Sequence, residues 1–120
     1  MHHNMRLNPS PFSKIKTGKK KVEYRLYDKK RQQVKVHDTI KFTNTEDLSE
    51  KVSCKVLGLM NYPSFIELAR DLQPTLLGSG QYHDPILFAS SMESYYSLEK
   101  QKEFGVLGIR LEQITSKQNY

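Results

Sequence analysis

Cysteine is almost missing from this sequence of 120 residues: Cys54 stands alone. A lone thiol excludes an internal disulfide framework and any zinc site built from several cysteines, so structural metal is not expected. There is no run of about eighteen apolar residues, and Met1-His2-His3-Asn4-Met5-Arg6 lacks the apolar stretch of a signal peptide. A soluble, cytoplasmic protein without a membrane partner is the expectation. Acidic residues are scarce in the first third. Residues 1 to 41 hold twelve Lys and Arg against Glu23, Asp28 and Asp38, whereas the remainder holds seven basic and ten acidic residues. The net charge of +6 is therefore concentrated in one segment, which suggests an anionic partner such as nucleic acid or a nucleotide. A lysine-rich surface kept for solubility gives the same balance.

Catalytic templates are missing too. The chain has no Gly-x4-Gly-Lys-Ser phosphate loop, no Gly-x-Gly-x-x-Gly after a strand and no His-Glu-x-x-His, so those enzyme classes drop out and no cofactor is implied. His2, His3, His37 and His83 are scattered, the first pair in a terminus expected to fray, which speaks against a histidine metal site. His37 reads as a turn residue. Cys54, set among alternating apolar residues, reads as a buried thiol rather than a nucleophile.

What is present suits one domain over residues 1–120: 37% hydrophobic and 27% charged residues are enough for a modest core. Ser10 as N-cap, Pro11 and Gly18 frame a short helix that buries Phe12 and Ile15. From Lys21 to Tyr27 the period is two, with Val22, Tyr24 and Leu26 on one face and Lys21, Glu23, Arg25 and Tyr27 on a polar one. A basic loop follows, then an extended Val34-Lys35-Val36, a strand over Thr39-Thr43, a loop from Asn44 to Glu50, and a strand through Val52, Cys54 and Val56 towards Met60. Short connections favour antiparallel pairing. Ser64 and Glu67 form a capping-box pattern for a helix ending before Pro74, with a turn at Leu76-Gly80. The stretch from Gln81 to Ala89 carries no readable pattern. A short helix over Ser91-Tyr96, another capped by Ser97 and stopped by Gly105, and a central strand from Val106 to Leu111 complete the reading. The tail from Thr115 is expected to fray. These elements predict an α+β fold on a small curled sheet or barrel, the alternative being an open sheet backed by one helix.

Within this plan, Glu23 and Arg25 lie on one strand face about 7 Å apart, and Lys20 at the helix-to-strand junction leans towards it. If that face lines the inside of a curled sheet, desolvation strengthens a charged set able to hold a planar polar ligand or a phosphate. Ordinary surface charges, or a structural salt bridge, are the plainer account.

The stretch Asn8-Pro9-Ser10-Pro11-Phe12, then Ile15, Gly18, Lys20, Glu23, Arg25, Leu26-Tyr27-Asp28, Arg31, Val36 and Asp38-Thr39-Ile40-Lys41-Phe42 resembles the ASCH domain (activating signal cointegrator homology) of the PUA-like superfamily. Gly18-x-Lys20-x-x-Glu23-x-Arg25 is similar to its signature, and Tyr62-Phe65, Met92-Ser97 and Phe104-Ile109 resemble later stretches of small bacterial members. The resemblance implies a PUA-like β-barrel with short helices at its ends, a cleft beside the signature, and RNA or a nucleotide-like ligand as partner. In that reading Lys20 and Arg25 contact phosphate or a carbonyl edge, Glu23 accepts hydrogen bonds from base amino groups, and Tyr95 or Tyr96 stacks on a base. Some relatives at the same motif are N4-acetylcytidine amidohydrolases that use a Lys, a Thr three residues later and a downstream Glu. Lys20 matches the Lys, but Glu23 stands where the Thr would be. His37 also departs from the family, which often has Gly before the Asp. The rival expectations are a hydrolase of a modified nucleoside or RNA, with Lys20 and Glu23 as a proton-transfer pair, and a protein-interaction module.

Overall fold

The computed structural model describes residues 1–78 and 84–114; His83, Ser79-Gly80 and the tail from Thr115 lie outside the described residues. In chain order, β1 spans His2–Leu7, α1 Pro9–Lys16, β2 Val22–Leu26, β3 Thr39–Asn44, β4 Asp47–Tyr62, α2 Phe65–Asp71, α3 Pro85–Met92, α4 Leu98–Phe104 and β5 Val106–Ile114. Short 3-10 turns occupy Arg31–Gln33 and Pro74–Leu77. The five strands form one mixed sheet in the order β1-β3-β4-β5-β2, a curled half-barrel with the helices against it. The fold is α+β and PUA-like.

The N-terminus departs from expectation. It does not fray: β1 pairs in parallel with β3 from His2 opposite Thr39 to Leu7 opposite Asn44, so not every pairing is antiparallel. Met5 and Leu7 alternate inward and are buried, which ties this edge strand to the core. His3 adds a hydrogen bond at 2.8 Å between its Nε2 and Asp38 Oδ2. Helix α1 starts earlier than the Ser10 pattern suggested, with Asn8 at the N-cap position and Pro9, whose fixed φ suits a first helical residue, opening it; the Asn8 side chain accepts from Thr45 Oγ1 and makes no capping bond. Val34 is extended, with φ −76° and ψ 130°, without joining the sheet; β4 begins at Asp47, so the expected Asn44-Glu50 loop is a tight hairpin. The short helix expected over Ser91-Tyr96 instead spans Pro85–Met92, capped by the Asp84 carboxylate.

Two apolar layers result. One fills the half-barrel: Phe12 and Ile15 from α1, Ile40 and Phe42 from β3, Val52, Cys54 and Val56 from β4, and Leu107 and Ile109 from β5. Burial pushes the Cys54 thiol up to about 12, so the thiolate is suppressed. The other layer lies between the far faces of β2 and β5 and the helices, with Val22, Leu26, Phe65, Leu68, Leu77, Met92 and Val106. Strand β4 serves both layers because its register against β5 shifts between Val56 and Gly58, and the bulge re-aims every later side chain. Strand β5 lies inside the sheet rather than at an edge, in keeping with its apolar run. No helix among the described residues is long and apolar enough to cross a membrane.

His37 has φ 77°, the only positive φ outside glycine among the described residues. Left-handed backbone costs a side chain about 1–2 kcal/mol, part of which glycine returns through its greater unfolded freedom. His37→Gly is therefore expected to stabilise the fold by about 0.5–1 kcal/mol in urea denaturation; a lower midpoint would show that the imidazole contributes more than its backbone strain costs.

Candidate functional site

The signature decomposes into separate physical tasks. Gly18 adopts φ 81° with no atom within 4 Å of where a Cβ would stand, so glycine is needed there for its backbone conformation alone. That turn ends α1, and the Lys20 amide donates to Lys14 O at 3.0 Å as the chain bends into β2. Gly78 meets two demands: its φ is 79°, as left-handed as that of Gly18, and a Cβ on it would come 3.1 Å from Lys20 Cβ, so its bare Cα also leaves space for the Lys20 stem.

On β2, Glu23 faces Ile109 and Arg25 faces Leu107, two residues of the half-barrel core. Residues opposite one another share a face, so the polar side of β2 points into the half-barrel. Val22 and Leu26 point the other way, under the helices. Both faces are covered, and the polar face, which periodicity alone left open to water or to the sheet interior, is inside.

There the three charges meet. Lys20 Nζ donates to Glu23 Oε1 at 2.8 Å and Arg25 Nε to Glu23 Oε2 at 2.7 Å. The Lys20 and Glu23 side chains are each 3% exposed and that of Arg25 is 12%. Arg25 Nη2 also donates to Arg6 O on β1 at 2.7 Å. Since β1 and β2 are the two ends of the sheet, this guanidinium bridges the seam that no backbone ladder closes. Lys20 Nζ in addition sits 3.9 Å from the centroid of the Tyr24 ring, a cation–π contact.

Burial disfavours the charge on Glu23, but Lys20 and then Arg25 outweigh it and hold the carboxyl down at about 2. Burial likewise opposes the Lys20 and Arg25 charges, and Glu23 reverses the balance, raising both above their ordinary ranges. All three are ionised at neutral pH. A carboxylate of this acidity is a poor general base, and an ammonium held this firmly a poor acid.

The set forms the floor of a cleft of about 580 Å³. Lys14, Tyr24, Tyr95 and Tyr96 line its sides. Tyr96 stacks on Phe65 with centroids 5.5 Å apart and planes at 18°, so one ring face is taken. Tyr95 is 69% exposed. The structure thus brings all five sequence-named residues to one cleft, while both oxygens of Glu23 already serve cations.

Sequence reasoning missed three contributors. Arg6 supplies a carbonyl, Tyr24 a ring, and Gln101 a hydrogen-bonded link between Tyr96 and Phe65. Gln101 is 3% exposed. Its Oε1 accepts from the Phe65 amide at 3.1 Å and its Nε2 donates to Tyr96 O at 3.0 Å. The expected capping box does not form, since Ser64 is at the N-cap position but its side chain makes no capping bond; Gln101 satisfies a different group, the first helical amide. No local signal marks Gln101, because its partners are 36 residues back and five residues back. Among the described residues, no group of three His, Cys, Asp or Glu is placed to hold a metal ion.

Comparison with known proteins follows the same outline. The crystal structure of hypothetical protein PH0355 superposes with a TM-score of 0.84 at 32% identity, covering 95% of this chain and 100% of that one. The solution structure of protein PF0455 from Pyrococcus furiosus gives 0.72 at 30% identity over 95% and 98%. A mutant of the ASCH protein from Zymomonas mobilis gives 0.58 at 12% identity over 96% and 74%, a likeness of fold alone. No curated protein matches the sequence. The family model described as ASCH domain matches residues 5–115, which takes in the strand, the seam and the whole cleft: the chain belongs to the ASCH domain family.

Proposed function

We propose that this protein binds RNA, or a nucleotide-like piece of it, in the cleft above Lys20, Glu23 and Arg25. The observation that carries the reading is a fixed, ionised trio under an aromatic rim. A nucleotide needs cationic donors for phosphate or carbonyl oxygens and a ring face for its base. Arg25 and Lys14 supply the first and Tyr95 the second. Glu23 acts here by keeping Lys20 and Arg25 charged and oriented, a narrower role than reading base amino groups, since both its oxygens are engaged. The hydrolase reading requires Glu23 to accept a proton, and a carboxyl held at about 2 does so weakly at neutral pH.

Calorimetric titration with nucleoside monophosphates and short single-stranded RNA tests the proposal. Binding is expected to weaken as salt rises. Tyr95→Ala, at an exposed position, is expected to lower affinity about tenfold through lost stacking with little change in stability. Unaltered affinity would remove Tyr95 from the site. Binding at neither low nor moderate salt would favour an interaction module. N4-acetylcytidine hydrolysis is expected to be negligible, and robust turnover surviving Glu23→Gln would overturn the role given to that residue.

A further inference from the structure

Beyond the cleft, across the seam, the structure opens a second groove of about 650 Å³. Arg6, Arg25, Lys30, Arg31, Lys41 and Lys51 line it, and no carboxylate does. The register explains how distant residues reach one surface. Arg6 lies opposite Thr43, and Thr43 opposite Lys51, so these side chains share the outer face of β1, β3 and β4. Lys41 is two residues along that face, about 7 Å away. Lys30 and Arg31 arrive from the turn after β2, the strand that Arg25 links to β1.

Internal partners occupy only part of this charge. Arg25 pairs with Glu23, and Arg31 Nη1 with Asp28 Oδ2 at 3.1 Å. Lys51 donates to Leu48 O at 2.9 Å and Thr43 Oγ1 at 3.4 Å, both uncharged. Arg6, Lys30 and Lys41 form no ion pair among the described residues. The Nε of Arg31 is the one buried side-chain polar atom without a hydrogen-bond partner among them. Four of the six, Arg6, Lys30, Lys41 and Lys51, have no acidic partner among the described residues, and like charges gathered in this way repel one another, which costs stability unless an anion is drawn in.

We infer that this groove carries the sugar-phosphate backbone of single-stranded RNA, as the continuation of a strand whose one nucleotide occupies the cleft. The continuity is on the molecule: Arg6 and Arg25 line both hollows. A lone nucleotide has no use for six cations spread over four strands and a turn, whereas a polyanion displaces counterions at each. The inference rests on the cleft reading and narrows it, making the ligand a strand several nucleotides long.

The test compares a single-stranded RNA decamer with a nucleoside monophosphate on the full chain. The decamer is expected to bind at least tenfold tighter. Lys41→Glu combined with Lys51→Glu should weaken decamer binding tenfold or more at about 0.1 M salt and flatten its salt dependence, leaving monophosphate affinity unchanged. Lys41→Ala with Lys51→Ala should act in the same direction with a smaller loss and guards against misfolding. Lys100→Glu with Lys102→Glu on α4 makes the same charge change elsewhere; an equal loss there would mean net charge alone and overturn the groove. A decamer binding no tighter than the monophosphate would also overturn it, with the cleft reading intact. Decamer binding that depends on Lys41 and Lys51 without monophosphate binding would keep the groove and remove the cleft. No binding of either ligand would end both.

Discussion

Replacing Glu23 with alanine is expected to cost about 3–5 kcal/mol of folding stability, because it leaves the buried Lys20 and Arg25 without their shared counter-charge. Removing one member of a buried ion set costs more than the set is worth intact, since the stranded charges keep their desolvation penalty. Glu23→Gln retains the shape and one acceptor and should lose less. Urea denaturation at neutral pH measures both; a loss below about 1 kcal/mol for Glu23→Ala would show that water reaches the cluster. The same carboxyl sets a pH dependence. Its folded pKa is depressed from 4.5 to about 2, so its contribution is present above about pH 4.5 and lost as pH falls towards 2. At 1.36 kcal/mol per unit that is about 3 kcal/mol, and the wild-type acid limb should be steeper than that of Glu23→Gln over this window. Parallel limbs would contradict the assignment. Lys20, raised above 10.5, acts in the opposite sense, its contribution being lost only as alkaline pH climbs through the raised value.

Phe65→Ala is expected to lower stability by about 3–5 kcal/mol and to weaken ligand binding even where the variant stays folded. Phe65 is fully buried. It stacks on Tyr96 and meets Tyr24 edge-on at 6.3 Å, so its truncation opens a cavity behind two walls of the cleft. Leu68→Ala, in the same apolar layer but with no ring to stack, should match the stability loss with a smaller change in binding. Equal binding losses in the two variants would mean that Phe65 acts through general loosening alone. Denaturation and titration of the same preparations separate the outcomes.

The readable parts of the chain had their causes close by. Gly18 reads as a helix stop because a positive φ suits glycine, Ser97 as a cap because its Oγ accepts from Lys100 N three residues on, and Val106-Leu111 as a central strand because both its faces are apolar. The misread parts had remote causes. His2-Leu7 is a strand because β3, more than thirty residues later, offers it a parallel edge. Helix α1 begins at Pro9 rather than after Ser10, and the Asn8 side chain is taken up by Thr45, 37 residues on; the first amide of α2, Phe65 N, is satisfied by Gln101, 36 residues on.

The candidate site divides along the same line. Period-two alternation in Lys21-Tyr27 determined that Glu23 and Arg25 share a face, and composition determined that the excess positive charge lies in the first 41 residues, because both are properties of neighbouring residues. Whether that shared face met water or the half-barrel interior was decided only by the curl of the sheet, which brings Arg25 on β2 to the Arg6 carbonyl on β1. Likewise Arg6, Lys30, Lys41 and Lys51 are unremarkable surface cations in the sequence; strand register and the seam collect them into one groove. Alternation and charge are counted along the chain, whereas dielectric surroundings and convergence depend on which distant segments pack together, and that is a property of the folded sheet.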